Sequence, residues 1–477
     1  MSEPDPTRRS KVPFAWLVAW VREQWRRHHP FVWLLDWWRR EWRRTAVILL
    51  ALAAVLLVVR GVANVWIGHQ LNEEVSRLEK LYGRLDMASL APPYVPPAEN
   101  RARVVRAAAS LLVVGHTEMG TLVRRFTARP TPGFPPLTTE ELRRVVDLNQ
   151  LALQVAERAR RRARSDWEID YANDEGNFRG LLDVRNLGIV LAMSCRADID
   201  AGRADAAGGA ALAGLAEAAS LRQEPNLLIQ LIRISVASEQ FRCVRDLLGR
   251  GEPSAPLLSD LAAALAENPT PDGMHLAYVG ELKHVNHLFG QMERGNVGDY
   301  VGITPGPRWA GPVGWVGRPL IRQGHLRALR TIAGIAETQS VPPFARRASD
   351  AAPLPRSQRA TPRWWDAIVK YLRRLQFARR FDEMFTAGLE RTGQGGYEYL
   401  SELNAAQLAV ALRRFRLDRG TYPDALADLA PQYLARVPAD PFTGRPPEYV
   451  RQGAGFELRA HGAPGTTSDL LEWKIPR

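Results

Sequence analysis

Cysteine is nearly absent from this chain: two residues, Cys195 and Cys243, in 477. So few exclude a disulfide framework and any zinc site of the usual Cys-rich kind. Both fall in apolar helical patterns, so two readings stay open. They are two reduced, buried thiols, or one disulfide pinning neighbouring helices if the domain folds in an oxidising compartment. Lysine is also scarce. Five lysines stand among 64 basic residues, so the net charge of +13 is carried by arginine. These arginines are spread along the chain and interleaved with acids. With no aromatic–basic pattern and no zinc-finger spacing beside them, a nucleic-acid partner is not expected. Catalytic signatures are missing too: no G-x-x-x-x-G-K-[ST], G-x-S-x-G, H-E-x-x-H or S-x-x-K occurs. No enzymatic activity is read from the chain, and no cofactor is expected.

What the sequence does have is one long hydrophobic run. Thr45 to Val59 is apolar and uncharged, and Ala46 to Ile67 makes 22 residues interrupted only by Arg60. That length crosses a hydrocarbon core of about 30 Å at about 1.5 Å per residue. Residues 1–44 carry ten Lys/Arg against five Asp/Glu, with Arg39, Arg40, Arg43 and Arg44 directly before the run. Beyond it, residues 68–86 carry only Arg77, Lys80 and Arg84. Positive charge stays inside, which places the N-terminus in the cytoplasm and the rest outside it. The charged stretch before the run is too long for a cleaved signal, so the segment is read as an anchor. Half of the 14 tryptophans precede it: Trp16, Trp20, Trp25, Trp33, Trp37, Trp38 and Trp42. Trp38, Trp42, Arg43 and Arg44 on one side, with Arg60 and Trp66 on the other, are the residue types that sit at a membrane interface. The lipid bilayer is thus the first expected partner.

The chain then divides as follows: a cytoplasmic Arg/Trp-rich tail (1–44), a transmembrane helix (45–67), a stalk and linker (68–97), a helical ectodomain (98–340), a linker (341–363) and a C-terminal module (364–477). Leu71, Val75, Leu78, Leu81 and Leu85 recur at spacings of three and four, a short seam that would allow a homodimer through the stalk. Helical patterns follow over 98–128, 138–164, 178–201, 203–221, 226–249, 255–267, 271–294 and 320–339. The part from Asn186 to Asn226 is similar to one tetratricopeptide-type helix pair, which points to a helix-pair array. Residues 299–319 form a Gly/Pro-rich loop with Trp309 and Trp315, and 341–363 a mobile linker.

The end of the chain is its most distinctive part. Leu408, Ala411, Leu412 and Phe415 form the apolar face of a helix that Gly420 terminates. Pro438, Asp440-Pro441 and Gly444 impose turns. Residues 448–451 and 455–458 then read as a hairpin around Gly453. This order of helix, Gly-x-Tyr-Pro turn, Leu-rich stretch, Asp-Pro-Phe-x-Gly turn and terminal strands resembles the C-terminal half of type II secretion major pseudopilins. Gly420, Tyr422, Pro423, Asp440, Pro441, Phe442, Gly444, Tyr449, Phe456 and Gly462 carry the resemblance, over about 55 residues. It implies a small α+β module and a link to a secretion or pilus-like assembly. The acidic calcium loop of that family is represented only by Asp469, so calcium is not expected. The whole layout is similar to that of bacterial proteins anchored in the inner membrane that reuse this tail.

Two clusters are candidates for chemistry. Glu281, His284 and His287 lie three apart on one helical pattern, the arrangement of carboxylate–histidine metal sites; a solvated polar face explains the same string. Asp166, Glu168, Asp170, Asp174 and Glu175 form an acidic patch whose spacing fits no EF-hand, and which reads as the N-terminal acids of the next helix. The expected fold is mainly α: a single transmembrane helix, an α-helical ectodomain and a small pseudopilin-like module. The expected role is a non-catalytic scaffold that binds other envelope proteins from the periplasmic side. The rival is a membrane-tethered hydrolase or metalloenzyme using Glu281, His284 and His287.

Overall fold

The structure, a computed structural model, describes residues 19, 22–23, 30–113, 117–127, 135–171, 180–268, 271–294, 312–346, 377–461 and 470–476. In 30–41, 117–119, 271–272, 312–317, 377–391 and 470 the backbone alone is described. Trp16, Trp20, Trp25, Trp309, Asp174, Glu175, Gly462 and Asp469 therefore lie outside the described residues, as do the side chains of Trp33, Trp37, Trp38 and Trp315 and residues 347–363 of the expected linker.

The described chain is mainly helical. In order come α1 (Pro30–Tyr82), α2 (Arg101–Ser110), α3 (Thr117–Thr127), α4 (Thr139–Leu148), α5 (Gln150–Glu157), α6 (Leu181–Asp200), α7 (Ala204–Ser220), α8 (Leu227–Arg250), α9 (Ala255–Ala266), α10 (Pro271–Arg294), α11 (Pro312–Gln339) and α12 (Phe377–Arg419). Strands β1 (Glu448–Gln452), β2 (Gly455–His461) and β3 (Leu470–Ile475) form one antiparallel sheet in the order β1-β2-β3. The chain divides into two compact units, residues 1–69 and 70–477.

In the first unit, the stretch of α1 from Val47 to Val58 has no covered face, while Ala63 and Ile67 further on are buried. Val47, Leu50, Val55, Leu56, Val58 and Val62 are all more than half exposed, spread round the helix.

In the second unit, local signals start and stop the helices where expected. Asn100, Asn226 and Ser254 each accept an N–H from the first turn of α2, α8 and α9, and Thr138 with Glu141 closes a capping box on α4. The pattern read as one helix over 138–164 is broken at Asn149, which is buried. Its Nδ2 donates to the Val145 carbonyl and its Oδ1 accepts from Val113 N–H at 2.8 Å, so this side chain ties α4 to the end of α2. Helices α6 and α7 approach α8 closely because their glycines leave room for its side chains. A Cβ on Gly188 would fall 2.8 Å from a Val236 methyl, and one on Gly214 would fall 2.3 Å from the Gln240 side chain. Cys195 and Cys243 are free, buried thiols in this core, and the Cys243 thiol donates to the Ala192 carbonyl at 3.7 Å.

Three expectations are corrected here. In a helix-pair array each unit touches only its sequence neighbours; here α12 packs against α8 and α9, more than a hundred residues earlier, and closes the bundle. The stalk is not free. Leu71, Leu78 and Leu85 are buried in one cluster with Tyr278, Leu282 and Val285 of α10 and Leu329 and Ile332 of α11. Glu74 pairs with Arg330 at 3.2 Å, and the Leu85 carbonyl accepts from Asn286 at 2.8 Å. The seam read as open to a second copy is thus filled by the same chain. Nor is 364–477 a separate domain: Leu403, Leu412, Tyr422, Phe456, Leu458, Trp473 and Ile475 belong to the same core cluster as Leu187, Phe241 and Leu258.

Candidate functional site

The C-terminal motif is built around Asp440, which is almost wholly buried. Its Oδ1 accepts the N–H groups of Phe442 (2.7 Å) and Thr443 (3.2 Å), and its Oδ2 accepts from His461 N–H at 2.6 Å. Asp440 is therefore a turn carboxylate that fastens the turn to β2, as its place before proline suggests. Gly444 takes φ +71°, and a Cβ there would meet the Phe344 ring at 2.6 Å. Phe344 N–H in turn donates to the Pro441 carbonyl at 3.3 Å, so the first residues of the expected mobile linker (341–346) dock on this turn. Gly420 has φ +78° and its N–H closes on the Arg416 carbonyl at 2.7 Å, the helix stop read from the sequence. Pro423 supplies the carbonyl for Tyr449 OH at 2.8 Å. The two aromatics differ. Tyr422 is buried, edge-on to Phe456 with centroids 5.0 Å apart, and accepts from Arg413 at 3.2 Å. Phe442 is only half-buried and belongs to no core cluster.

The metal-like trio does not converge. On α10, the Glu281 carboxylate accepts from Leu227 N–H at 3.4 Å, serving an orphan donor at the start of α8, and burial raises its pKa. His287 Nε2 lies 3.3 Å from Gln291 Nε2. Burial, with His287 nearby, lowers the pKa of His284 and favours a neutral ring. Among the described residues no three His, Cys, Asp or Glu side chains are grouped to hold a metal.

The acidic patch also has another purpose than expected. Asp166 is buried beside Asn100, and its Oδ1 accepts from Glu168 N–H at 2.8 Å; Glu168 pairs with Arg103 at 2.6 Å. These residues run alongside α2, not at a helix N-terminus, because α6 starts only at Leu181.

Of the residues assigned to a membrane interface, Trp42 and Trp66 are exposed, and the Arg43 guanidinium lies 5.7 Å from the Trp42 ring centroid. Arg44 and Arg60 lie on the same helix. Trp42 and Trp66 bracket about 36 Å of helix at 1.5 Å per residue. That spacing suits two aromatic belts.

One site was not foreseen. A cleft of about 950 Å³ opens between the end of α5 and helices α7 and α9. One wall is the 3₁₀ turn Arg158–Arg161, where Ala159 points into the core and the arginines point out. Arg160 pairs with Asp260 at 3.2 Å, and the buried Arg101 with Glu267 at 3.1 Å. Arg162 donates to the Pro97 and Asn100 carbonyls. The back is apolar and small-sided: Ala216, Ala263 and Ala264 over Leu212 and Leu215. The signal was the string Arg158-Ala159-Arg160-Arg161-Arg162-Ala163-Arg164, overlooked while the basic charge was taken as evenly spread. In comparison with known proteins, no family model, no curated protein and no solved structure matches the chain.

Proposed function

We propose that this is a single-pass membrane protein that holds a non-catalytic, protein-binding helical body against the outer face of a bacterial inner membrane, in association with a secretion or pilus-like assembly. The observation that carries the anchor is the helix itself. It is long and apolar enough to cross a membrane, and its most apolar stretch is bare on all sides. In water such a surface is costly at about 25 cal/mol per Å² of apolar area, and a soluble helix would bury one face. The arginines before the span support a cytoplasmic N-terminus and a periplasmic body. The reading as a binding body rests on what the candidate residues do: Asp440, Glu281 and Glu168 are all committed to holding backbone or arginine, and the cleft beside α5 is lined chiefly by arginine and alanine. The pseudopilin-like order of turns supports the association with a secretion or pilus-like assembly.

The test has two arms. The full chain should stay in the membrane pellet through alkaline carbonate and leave it only in detergent. A periplasm-active reporter fused after Leu90 should work, and a cytoplasm-active one should work at the N-terminus. Release by carbonate, or the reverse reporter pattern, would overturn the reading.

A further inference from the structure

We infer that the cleft between the Arg158–Arg161 turn and helices α7 and α9 receives an acidic peptide segment of a partner protein, its carboxylates on Arg158 and Arg161 and its apolar side chains on the alanine wall. This deepens the protein-binding reading above and rests on it. Five arginines fall within seven residues of chain, and three are accounted for: Arg160 on Asp260, Arg162 on two backbone carbonyls, and Arg164 on Glu99 at 3.4 Å. Arg158 and Arg161 have no hydrogen-bond or ion partner among the described residues, and both are exposed on the wall of the cleft. In a 3₁₀ turn residues three apart eclipse, so these two side chains leave the turn on the same side. Two like charges so placed repel, and an oxyanion between them relieves that repulsion with charge-assisted, bidentate bonds. The negative end of α5 favours cations at this point, but it accounts for neither the pair nor the cleft.

The rest of the lining selects among anions. Glu157, Asp260 and Glu267 face the same space, so a polyanion with a charge on every unit meets repulsion along its length. An extended peptide avoids it. Its side chains alternate, so carboxylates two residues apart share one side, while the intervening side chains face the other. One side meets the guanidinium groups and the other meets Ala216, Ala263 and Ala264, whose short side chains let a main chain come close.

The experiment uses the full chain in detergent and fluorescence anisotropy of a labelled peptide alternating Glu and Leu. The expected result is saturable binding that weakens about tenfold or more in Arg158→Glu/Arg161→Glu. Arg436→Glu, an exposed arginine elsewhere, should leave it unchanged. A peptide with Gln for Glu should not bind. The milder Arg158→Gln/Arg161→Gln pair should also weaken binding, with its circular dichroism melt unchanged. Equal binding by the wild type and both double variants, or by the Gln peptide, would overturn the proposal. So would displacement of the peptide by inorganic phosphate, a single-stranded oligonucleotide or phosphatidylglycerol vesicles at lower concentration than unlabelled peptide. Because this assay contains no membrane, a failure here leaves the carbonate and reporter results standing, and failure of those leaves this one intact.

Discussion

The apolar stretch of α1 and the body from residue 70 onward use the same kinds of side chain in opposite ways. Between Val47 and Val65 the leucines and valines of α1 face outwards on every side. From Leu71 onward the same helix becomes one-sided: Leu71 and Leu78 are buried while Leu81 stays 57% exposed. One helical period thus carries two patterns of exposure. Where polar residues return every second or third position, the helix has a wet face and a packed one. Where they vanish, the bare apolar surface suits the bilayer proposed above.

The sharpest way to break that contrast is to put charge into the bare stretch. Leu50→Arg with Val55→Arg should cost about 5–7 kcal/mol of insertion free energy, at about 2.5–3.5 kcal/mol for each arginine near a span centre. Membrane fractionation should show the loss of carbonate-resistant protein; unchanged retention would mean the stretch is not the anchor. Next in size, Leu78→Ala should lower the stability of the body by about 2–5 kcal/mol, since Leu78 is fully buried. Denaturant unfolding of the detergent-solubilised chain reads this, and a shift near zero would deny that the stalk is part of the core. Asp440→Ala should cost about 3 kcal/mol by the same measurement, because it leaves buried N–H donors without their acceptor.

Glu217 sharpens the comparison from the polar side. This carboxyl is buried among the alanines of α7, and burial holds its pKa well above the ordinary carboxylate value. The folded state therefore keeps a proton that the unfolded chain gives up above about pH 4.3. Its contribution favours folding below that pH and is lost progressively as pH rises towards the folded-state pKa. Glu217→Gln should make stability less dependent on pH above about 4.3 and raise it at neutral pH by about 1–3 kcal/mol. An unchanged pH profile would place the ionised group in contact with water. The smallest effect belongs to Leu81→Ala, on the wet face of α1, at about 0.5 kcal/mol or less. A loss equal to that of Leu78→Ala would erase the distinction between the two faces.

Much of this was legible locally. The helix stops at Gly202 and Gly420, the hairpin at Gly453 and the single bare apolar run are written in nearby residues. What was not legible depends on partners distant in the chain. The leucine seam of the stalk looks alike whether it meets a second copy or α10 and α11, two hundred residues later. Phe442 and Tyr422 stand in equally promising motif positions, yet only the ring that meets Phe456 is in the core. The arginine-lined cleft was a string of letters until the fold brought Asp260 to Arg160, Glu99 to Arg164 and two carbonyls to Arg162, leaving Arg158 and Arg161.

The placement of β3 bears on how the protein is made. Trp473 and Ile475 are buried in the core that α6–α9 begin, and Ile475 lies against α8, 3.7 Å from where a Gly249 Cβ would stand. A ribosome delivers those two side chains more than two hundred residues after α8. Until they arrive, the faces of α8 and α12 that await them stay open. Domains generally fold as units during synthesis, and unpaired apolar surface is what chaperones hold. Truncation within β3 would leave those faces open in the finished chain, a surface prone to aggregation.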